Sequence, residues 1–557
     1  MQNKELADLL FPHVHLVPQD IIAKYPARKL EATAKVTRFA PSPTGFLTIG
    51  GLYATFISER LAHQSEGVFY LRIEDTDKKR EVEGSIDGIV QALDYFGIRY
   101  DEGVTSFGEE TGQYGPYKQS ARVDIYQAFI KHFVEEGLAY PCFCDTEALQ
   151  HIRNIQQSRG EMTGYYGKWA LHRCFTLEQV KEELAKGKPF VIRLKSQGSS
   201  ERKIRYTDLV KGLIELPENE QDIVIMKADG IPTYHFAHAI DDFLMGTTHV
   251  IRGDEWLSSV PIHVQLFEML GFKRPEYGHL APIMKMDGHS KRKFSKRKDP
   301  DAAVHYYQLE GYPREAISEY FMTLVNSNYE EWRIQHPAEL FSSFVIETSK
   351  MSVSGPLFDM DKLHDISKDV IAKMSADEMF EQLVKWAHSY HAGLYQKLIN
   401  HREYAIGILG IGKDAIKPRK DFAKWSDVPP AISYFFDEEF KAEASTFTES
   451  LPPATSELLA QQIVQSYLGM YDDEDDKDVW FGKVKQVADQ FGFAKDAKTF
   501  KKQPEQFKGH VGDVAMVLRL ALSNRTHTPD LFDMMQVMGE SRVRSRLCYF
   551  IDEVPNS

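Results

Sequence analysis

Two clusters of residues in this 557-residue chain have the types and spacing to handle phosphate. The first, RFAPSPTGFLTIGG (residues 38–51), runs a short apolar segment into a Pro/Gly turn, and from Ile49 onward apolar residues recur at helical intervals. Gly50 and Gly51 lack side chains, so a ligand can approach the first helical turn, where unpaired N–H groups and the helix dipole favour an anion. A glycine pair at a helix start more often serves tight packing. The second cluster decides between the two readings. Residues 285–298, KMDGHSKRKFSKRK, hold seven Lys or Arg against the single acid Asp287 in an otherwise acidic protein. Within it, Lys293-Phe294-Ser295-Lys296-Arg297 sets two lysines around a small hydroxyl residue. A mobile loop of this kind can carry ammonium groups onto a transferring phosphoryl centre.

Between the clusters lie RIEDTD (residues 72–77), DGIPTYHFAHAIDDFLMG (229–246) and THVIRGDEWLSS (248–259). The two clusters resemble the paired HIGH and KMSKS signatures of class I aminoacyl-tRNA synthetases. With the intervening motifs in this order, the chain resembles the bacterial glutamyl-tRNA synthetases, strongly over about residues 30–335 and loosely beyond. The resemblance implies ATP-dependent activation of L-glutamate to the adenylate and its transfer to the 3′-terminal adenosine of tRNA(Glu). It leaves open whether tRNA(Gln) is charged as well. ATP is then a substrate, with Mg2+ on its phosphates.

The same resemblance assigns residues. Lys296, Lys293 and Thr48 take the catalytic positions. Ser42, Thr48, Gly50, Gly51, Phe294, Ser295 and Lys296 seat the nucleotide. Arg38, Ala40, Ser42, Glu74, Tyr234, His238, Arg252 and Trp256 form the glutamate pocket, with Glu74 receiving the α-amino group. Arginine forks suit the task of telling a glutamate side chain from glutamine, because they pair with a carboxylate. One departure stands out: the signature His-Ile-Gly reads Thr48-Ile49-Gly50 here. A threonine hydroxyl donates one hydrogen bond but carries no charge. The alternative function is therefore a catalytically impaired tRNA-binding paralogue.

The elements that must position these groups follow from periodicity. Periodicity predicts an α/β N-terminal half, a doubly wound sheet split by an insertion, followed by an all-α region; the resemblance implies that these are a Rossmann-like class I catalytic domain, an α+β acceptor-binding insertion and an anticodon-binding region. The expected segments are an extension (1–35), a first catalytic half (36–108), the insertion (109–222), a second catalytic half (223–284), a signature-loop and stem-contact region (285–360) and a helical region (361–557). Strand signals are expected at Val68 to Ile73, Ile223 to Met226 and His249 to Arg252, and helices at Thr233 to Met245, Ala376 to Ser389 and Val514 to Ser523. In the extension, Leu6, Leu9, Leu10 and Phe11 offer an apolar face to dock on the body. Dense strand alternation after residue 340, which a glutaminyl enzyme's β-barrels would need, is missing from the sequence. The long tail argues against the short paralogue that lacks an anticodon-reading region.

The insertion carries Cys142-Phe143-Cys144 and then His172-Arg173-Cys174, two close pairs suited to tetrahedral zinc, with Tyr165, Tyr166 and Trp169 nearby. The competing reading is reduced cysteines with no metal. A net charge of −14 and pI near 5.8 argue against indiscriminate coating of nucleic acid, so tRNA must dock on locally basic faces. Arg519, Arg525 and the cluster Arg542, Arg544, Arg546 are candidates for RNA contact, and DDEDDKD (472–478) for a solvated loop. Four cysteines in so long a chain do not suggest a disulfide framework, and the N-terminus has no apolar run suited to a signal or anchor. A cytoplasmic monomer with no membrane partner is expected.

Overall fold

The computed structural model describes residues 2–106, 108–295, 297–443 and 450–553, and Lys296 lies outside them. The chain forms two compact units, Met1–Gln308 with Ile317–Met360, and Leu309–Ala316 with Asp361–Ser557.

In the first unit, helices α1 (Gln2–Leu10) and α2 (Pro18–Lys24) sink Ala7, Leu10, Phe11 and Ile21 into the same core as Tyr126, Phe129 and Phe133. Leu9 turns outward instead, at 39% exposure, because Ala7 and Leu10, three residues apart, share the inward face of α1 and Leu9 falls off it. Arg28 clasps both carboxylate oxygens of Glu102 at 2.9 and 2.8 Å and lies 3.9 Å over the Tyr114 ring. The extension is thus built into the body.

Then come β1 (Val36–Phe39), α3 (Ile49–His63), β2 (Val68–Leu71), α4 (Ser85–Tyr95), β3 (Glu102–Val104) and β4 (Glu110–Thr111). Parallel strands need crossovers, which α3 and α4 supply: β1, β2 and β3 are parallel neighbours and β4 closes the edge antiparallel. Val36, Phe69, Tyr70 and Leu71 are buried, as strands covered on both faces require.

The expected insertion contributes α5 (Val123–Glu135), β5 (Ala139–Cys142), α6 (Thr146–Ser158), α7 (Leu177–Ala185), β6 (Val191–Leu194) and a hairpin of β7 (Lys203–Asp208) and β8 (Gly212–Pro217). The next strand, β9 (Val224–Met226), was expected to rejoin the parallel sheet. It pairs antiparallel with β6, which also pairs with β5. Three apolar residues specify a strand but not its partner. Parallel structure resumes with α8 (Tyr234–Leu244), β10 (His249–Gly253), α9 (Val260–Leu270) and β11 (Glu276–Leu280). The amide of Thr248, just ahead of β10, donates to Val36 O at 2.9 Å, which ties the second pair of strands beside β1.

The basic cluster is more ordered than a loop. Its first residues form an antiparallel hairpin of β12 (Met284–Asp287) and β13 (Ser290–Lys293). The turn needs a positive φ, which Gly288 supplies at 60°. Among the described residues no strand follows Lys293, and none of the helices is long and apolar enough to cross a membrane.

The second unit is helical around Phe380, Leu383, Trp386, Val464, Val517 and Leu547. Its helices include Ala376–Tyr390, opened by a Ser375/Glu378 capping box, and Val511–Ser523. Several arginines expected on the RNA-facing surface hold this unit together. Arg546, only 2% exposed, donates to the carbonyls of Tyr434, Phe435 and Leu522 and pairs with Asp437. Arg542 shares Asp437, Arg544 pairs with Glu540, and Arg519 reaches Thr528 and Pro529 O. In the acidic run, Asp476 caps the helix Lys477–Gln490 by accepting from Val479 N.

Candidate active site

The C-terminal ends of β1, β2 and β10 face a common cleft, the edge at which open α/β sheets bind ligands. Leaving β1, the chain turns at Pro41 and Pro43, whose carbonyls accept from the amides of Glu74 and Val82. That staple brings Ala40 and Ser42 against the exit of β2. The resulting cleft, about 670 Å³, is lined by Arg38, Ala40, Ser42, Glu74, Tyr234, Arg252 and Trp256, seven of the eight expected glutamate-pocket residues. His238 is the exception: it is fully buried below, stacked under Tyr234 and hydrogen-bonded to Tyr277 OH. One helical turn after Tyr234, it faces the core rather than the opening. Desolvation holds it neutral, lowering its pKa to about 4, against the pull of Asp242 at 2.8 Å.

The floor of the cleft is a buried charge network. Arg72, with no exposure, pairs with Asp242 at 2.6 Å and Glu74 at 3.0 Å, while Asp241 is held by Arg122, Tyr126 and Gln119. Burying this many charges is tolerable only because each is paired and hydrogen-bonded. Burial pushes the pKa of Glu74 up, opposed by Arg72 and Arg38. Arg38 gives only its Nε to Asp242, at 3.4 Å, which leaves its terminal nitrogens without a protein partner among the described residues. Arg252 has no carboxylate partner there at all: its Nε donates to His279 and its terminal nitrogens to His263. The cleft therefore presents two under-compensated guanidinium groups and one carboxylate, a match for an amino acid with an acidic side chain.

A second cavity, about 350 Å³, shares Gly51, Ala54 and Gly253 with the first and is lined further by Thr48, Gly50, Lys293 and Phe294. The glycine turn and the basic hairpin, far apart in sequence, meet here. A Cβ on Gly50 would have only Thr48 Oγ1 near it, at 4.0 Å, and would stand in the cavity. One on Gly51 would strike Leu47 at 2.9 Å. Gly50 thus keeps room for a ligand, while Gly51 answers to packing as well. Thr48 caps α3, its hydroxyl accepting from Gly51 N at 3.0 Å.

The basic cluster is less free than its charge suggests. Arg292 forks onto Asp299 at 2.6 and 2.7 Å and also reaches Asp287, and Lys285 pairs with Asp301 at 2.9 Å. Asp299 and Asp301 lie just past residues 285–298, within which Asp287 is the single acid. Lys293 keeps its ammonium unpaired among the described residues and faces the second cavity. Ser295 lines neither cavity; its amide donates to Asp299. Ser42, expected at both substrates, lines the first cleft alone.

In the insertion, Cys142 Sγ, Cys144 Sγ and a His172 ring nitrogen lie within 4.8 Å of one another. Cys174 does not join them and is exposed. The hydroxyl of Tyr165 sits against both sulfurs instead, at 3.4 and 3.5 Å, because Tyr165 is buried in the same apolar cluster as Cys142 while Cys174 lies on the surface. Two thiols, an imidazole and a phenol converging on one point fit a tetrahedral zinc donor set.

The support beneath the pocket, formed by Arg72, Asp241, Asp242, His263, His279 and Asp208, is not marked as such by any sequence motif. The acid pair in the apolar run AHAIDDFL was the available signal, since acids inside a buried helix require partners.

With this geometry in place, comparison with known proteins defines the class. The family described as tRNA synthetases class I (E and Q), catalytic domain, matches residues 35–365, and an anticodon binding domain family matches residues 381–551. The chain belongs to this family of class I tRNA synthetases. It is 49% identical to a glutamate–tRNA ligase of Clostridium perfringens over 98% of this chain and all of that protein. Identity is also 49% to one of Acetivibrio thermocellus, over 98% of this chain and 99% of that protein. A crystal structure of a glutamate tRNA ligase from Elizabethkingia meningosepticum, in complex with its amino acid, superimposes with a TM-score of 0.73 at 28% identity, covering 94% of this chain and all of that one.

Proposed function

We propose that this protein is a glutamate–tRNA ligase that forms glutamyl-adenylate and passes the glutamyl group to the 3′-terminal adenosine of tRNA(Glu). The observation that carries this reading is the pair of adjoining cavities, one with two under-compensated arginines opposite Glu74, the other with the glycine turn and Lys293. Arg38 and Arg252 bind the carboxylates of glutamate and Glu74 its ammonium group. Tyr234 and Trp256, with rings 4.3 Å apart, wall the pocket and exclude water. A carboxylate oxygen of glutamate attacks the α-phosphorus of ATP and the bond to pyrophosphate breaks. A hydroxyl of the terminal adenosine then attacks the glutamyl carbonyl and AMP leaves.

The chain performs little covalent chemistry of its own. Gly50 and the first-turn amides of α3 admit the nucleotide, Thr48 donates a hydrogen bond, and Lys293 with Lys296 supplies positive charge where it grows on the phosphates. Magnesium enters with ATP and neutralises its phosphates. Residues 109–222 act as the acceptor-binding insertion, 285–360 as the signature loop and stem contact, and 361–557 as the anticodon-binding region. Cys142, Cys144, His172 and Tyr165 hold a structural zinc. None of the four cysteines is in a disulfide, in keeping with a reducing cytoplasm, and the enzyme acts as a monomer.

ATP–pyrophosphate exchange in the presence of tRNA tests the reading. Exchange should depend on glutamate and not occur with glutamine; exchange that responds equally to both, or to neither, overturns it.

A further inference from the structure

Arg252 is 6% exposed, yet every group that holds it is a neutral ring. Its guanidinium lies 4.6 Å over the Tyr277 ring, donates from Nε to His279 Nε2 at 3.0 Å, and from both terminal nitrogens to His263 Nδ1 at 3.2 and 3.3 Å. Guanidinium has only donors, so both imidazole nitrogens facing it must carry lone pairs. That requirement fixes each tautomer. His263 then donates from Nε2 to His235 Nδ1 at 3.0 Å, and His279 from Nδ1 to Asp208 Oδ2 at 2.6 Å. Desolvation lowers the pKa of both rings, which keeps them neutral.

The register of the parallel pair explains the contact, since Arg252 on β10 and His279 on β11 are Cα partners. Asp208 comes from the end of β7, docked on β11 by the amide of Leu209 donating to Tyr277 O at 2.8 Å. Its orientation is fixed as well. Oδ1 accepts from the amides of Val210, Lys211 and His279 at 3.0, 2.9 and 3.2 Å, which leaves Oδ2 to the imidazole.

The geometry points to Asp208 and His279 as positioning residues that set acid selection: Asp208 locks the tautomer of His279 so that the ring aims Arg252 without neutralising it. Another buried arginine here, Arg72, is surrounded by Asp242, Glu74 and Asp241, and its charge is spent within the protein. Arg252 keeps its charge for the ligand because the carboxylate that orders it stands one ring away. A direct carboxylate would hold it equally firmly and remove the field that distinguishes a carboxylate side chain from an amide. This inference rests on the proposed glutamate-binding role of Arg252.

The test uses Asp208→Asn, alone and with His279→Gln, in the full-length enzyme. In the single variant the asparagine carbonyl keeps the backbone amides and turns its NH2 group to His279. The ring must then accept at Nδ1 and present an N–H to Arg252, so two donors face each other. The glutamate KM should rise at least about tenfold while the ATP KM stays unchanged. The double variant offers a side-chain amide whose oxygen can accept from Arg252 whatever the neighbouring asparagine presents, and it should return the glutamate KM to within about threefold of wild type. Thermal unfolding of all three proteins runs in parallel, because a merely destabilising Asp208→Asn would not be repaired by a second core substitution. An unchanged glutamate KM in Asp208→Asn, or a raised one that His279→Gln does not reverse, overturns the inference. A wild type without glutamate-dependent exchange overturns the functional reading and this inference with it.

Discussion

Replacing Thr48 with histidine should accelerate adenylate formation, and the structure sets both the size of the gain and its cost. Thr48 lines the nucleotide cavity while its oxygen accepts from Gly51 N at 3.0 Å, so its hydroxyl proton is the one donor it can aim at a phosphate. A hydroxyl donating to phosphate has one ionised partner and contributes about 1.5 kcal/mol, whereas an imidazolium–phosphate pair, ionised on both sides, reaches about 3 kcal/mol. The difference of about 1.5 kcal/mol corresponds to about tenfold in rate. Removing the cap would cost α3 about 1 kcal/mol if nothing replaced it. Imidazole can replace it: His391 and His510 already cap helices in this chain, accepting from Leu394 N and Gly512 N. A histidine introduced here can therefore cap α3 as a neutral ring in the free enzyme and, protonated beside the phosphates, donate to them while Gly51 N turns to a phosphate oxygen. ATP–pyrophosphate exchange at saturating glutamate should rise about tenfold with the glutamate KM unchanged and the melting temperature within a few degrees of wild type. A folded Thr48→His enzyme with no gain in rate would show that this position does not limit the reaction.

Three further outcomes are expected. Arg252→Gln removes the charge partner of the glutamate side chain and should raise the glutamate KM about a hundredfold with little change in ATP KM, measured by exchange. His63 bridges Glu59 at 2.9 Å and Asp101 at 3.1 Å, and hydrogen bonds to these two acids raise its pKa to about 9. A raised pKa stabilises the fold below the unfolded value of 6.5, and that contribution is lost as pH climbs through about 9. The melting-temperature gap between wild type and His63→Gln should accordingly be widest below about pH 6.5 and close by about pH 10. Finally, metal analysis of protein purified without chelator should find about one zinc per chain, lost in Cys142→Ser but retained in Cys174→Ser; equal zinc in both variants would refute the donor set.

How much of this was legible in the sequence varies with the kind of signal. Groups carried by local motifs were readable: the glycine turn before α3, the Arg252 segment and the CxC pair all appear where spacing put them. What escaped depended on partners distant in the chain. Nothing near Lys285 or Arg292 reveals that Asp299 and Asp301 fold back onto them. Cys174 is a cysteine at a plausible ligand interval, yet it lies on the surface and Tyr165, buried with Cys142, meets the sulfurs instead. β9 was read as a strand, but strand pairing is a tertiary choice. Of the arginines of the last helix, Arg546 is buried against backbone carbonyls and so cannot face RNA, while Arg542 and Arg544 stay partly exposed. His263, His279 and Asp208 carry no motif, and only the meeting of β7, α9 and β11 gives them a role.

The central claim is that one cleft holds glutamate beside a second that holds ATP, and that the product leaves on tRNA. Aminoacylation of purified tRNA isoacceptors for glutamate and for glutamine with labelled glutamate and ATP tests it most directly. The account predicts ATP-dependent, acid-precipitable label on the glutamate isoacceptor, abolished by Arg252→Gln at low glutamate, with the second isoacceptor reporting how widely the enzyme charges. No label on either tRNA, from protein that melts cooperatively, would contradict it.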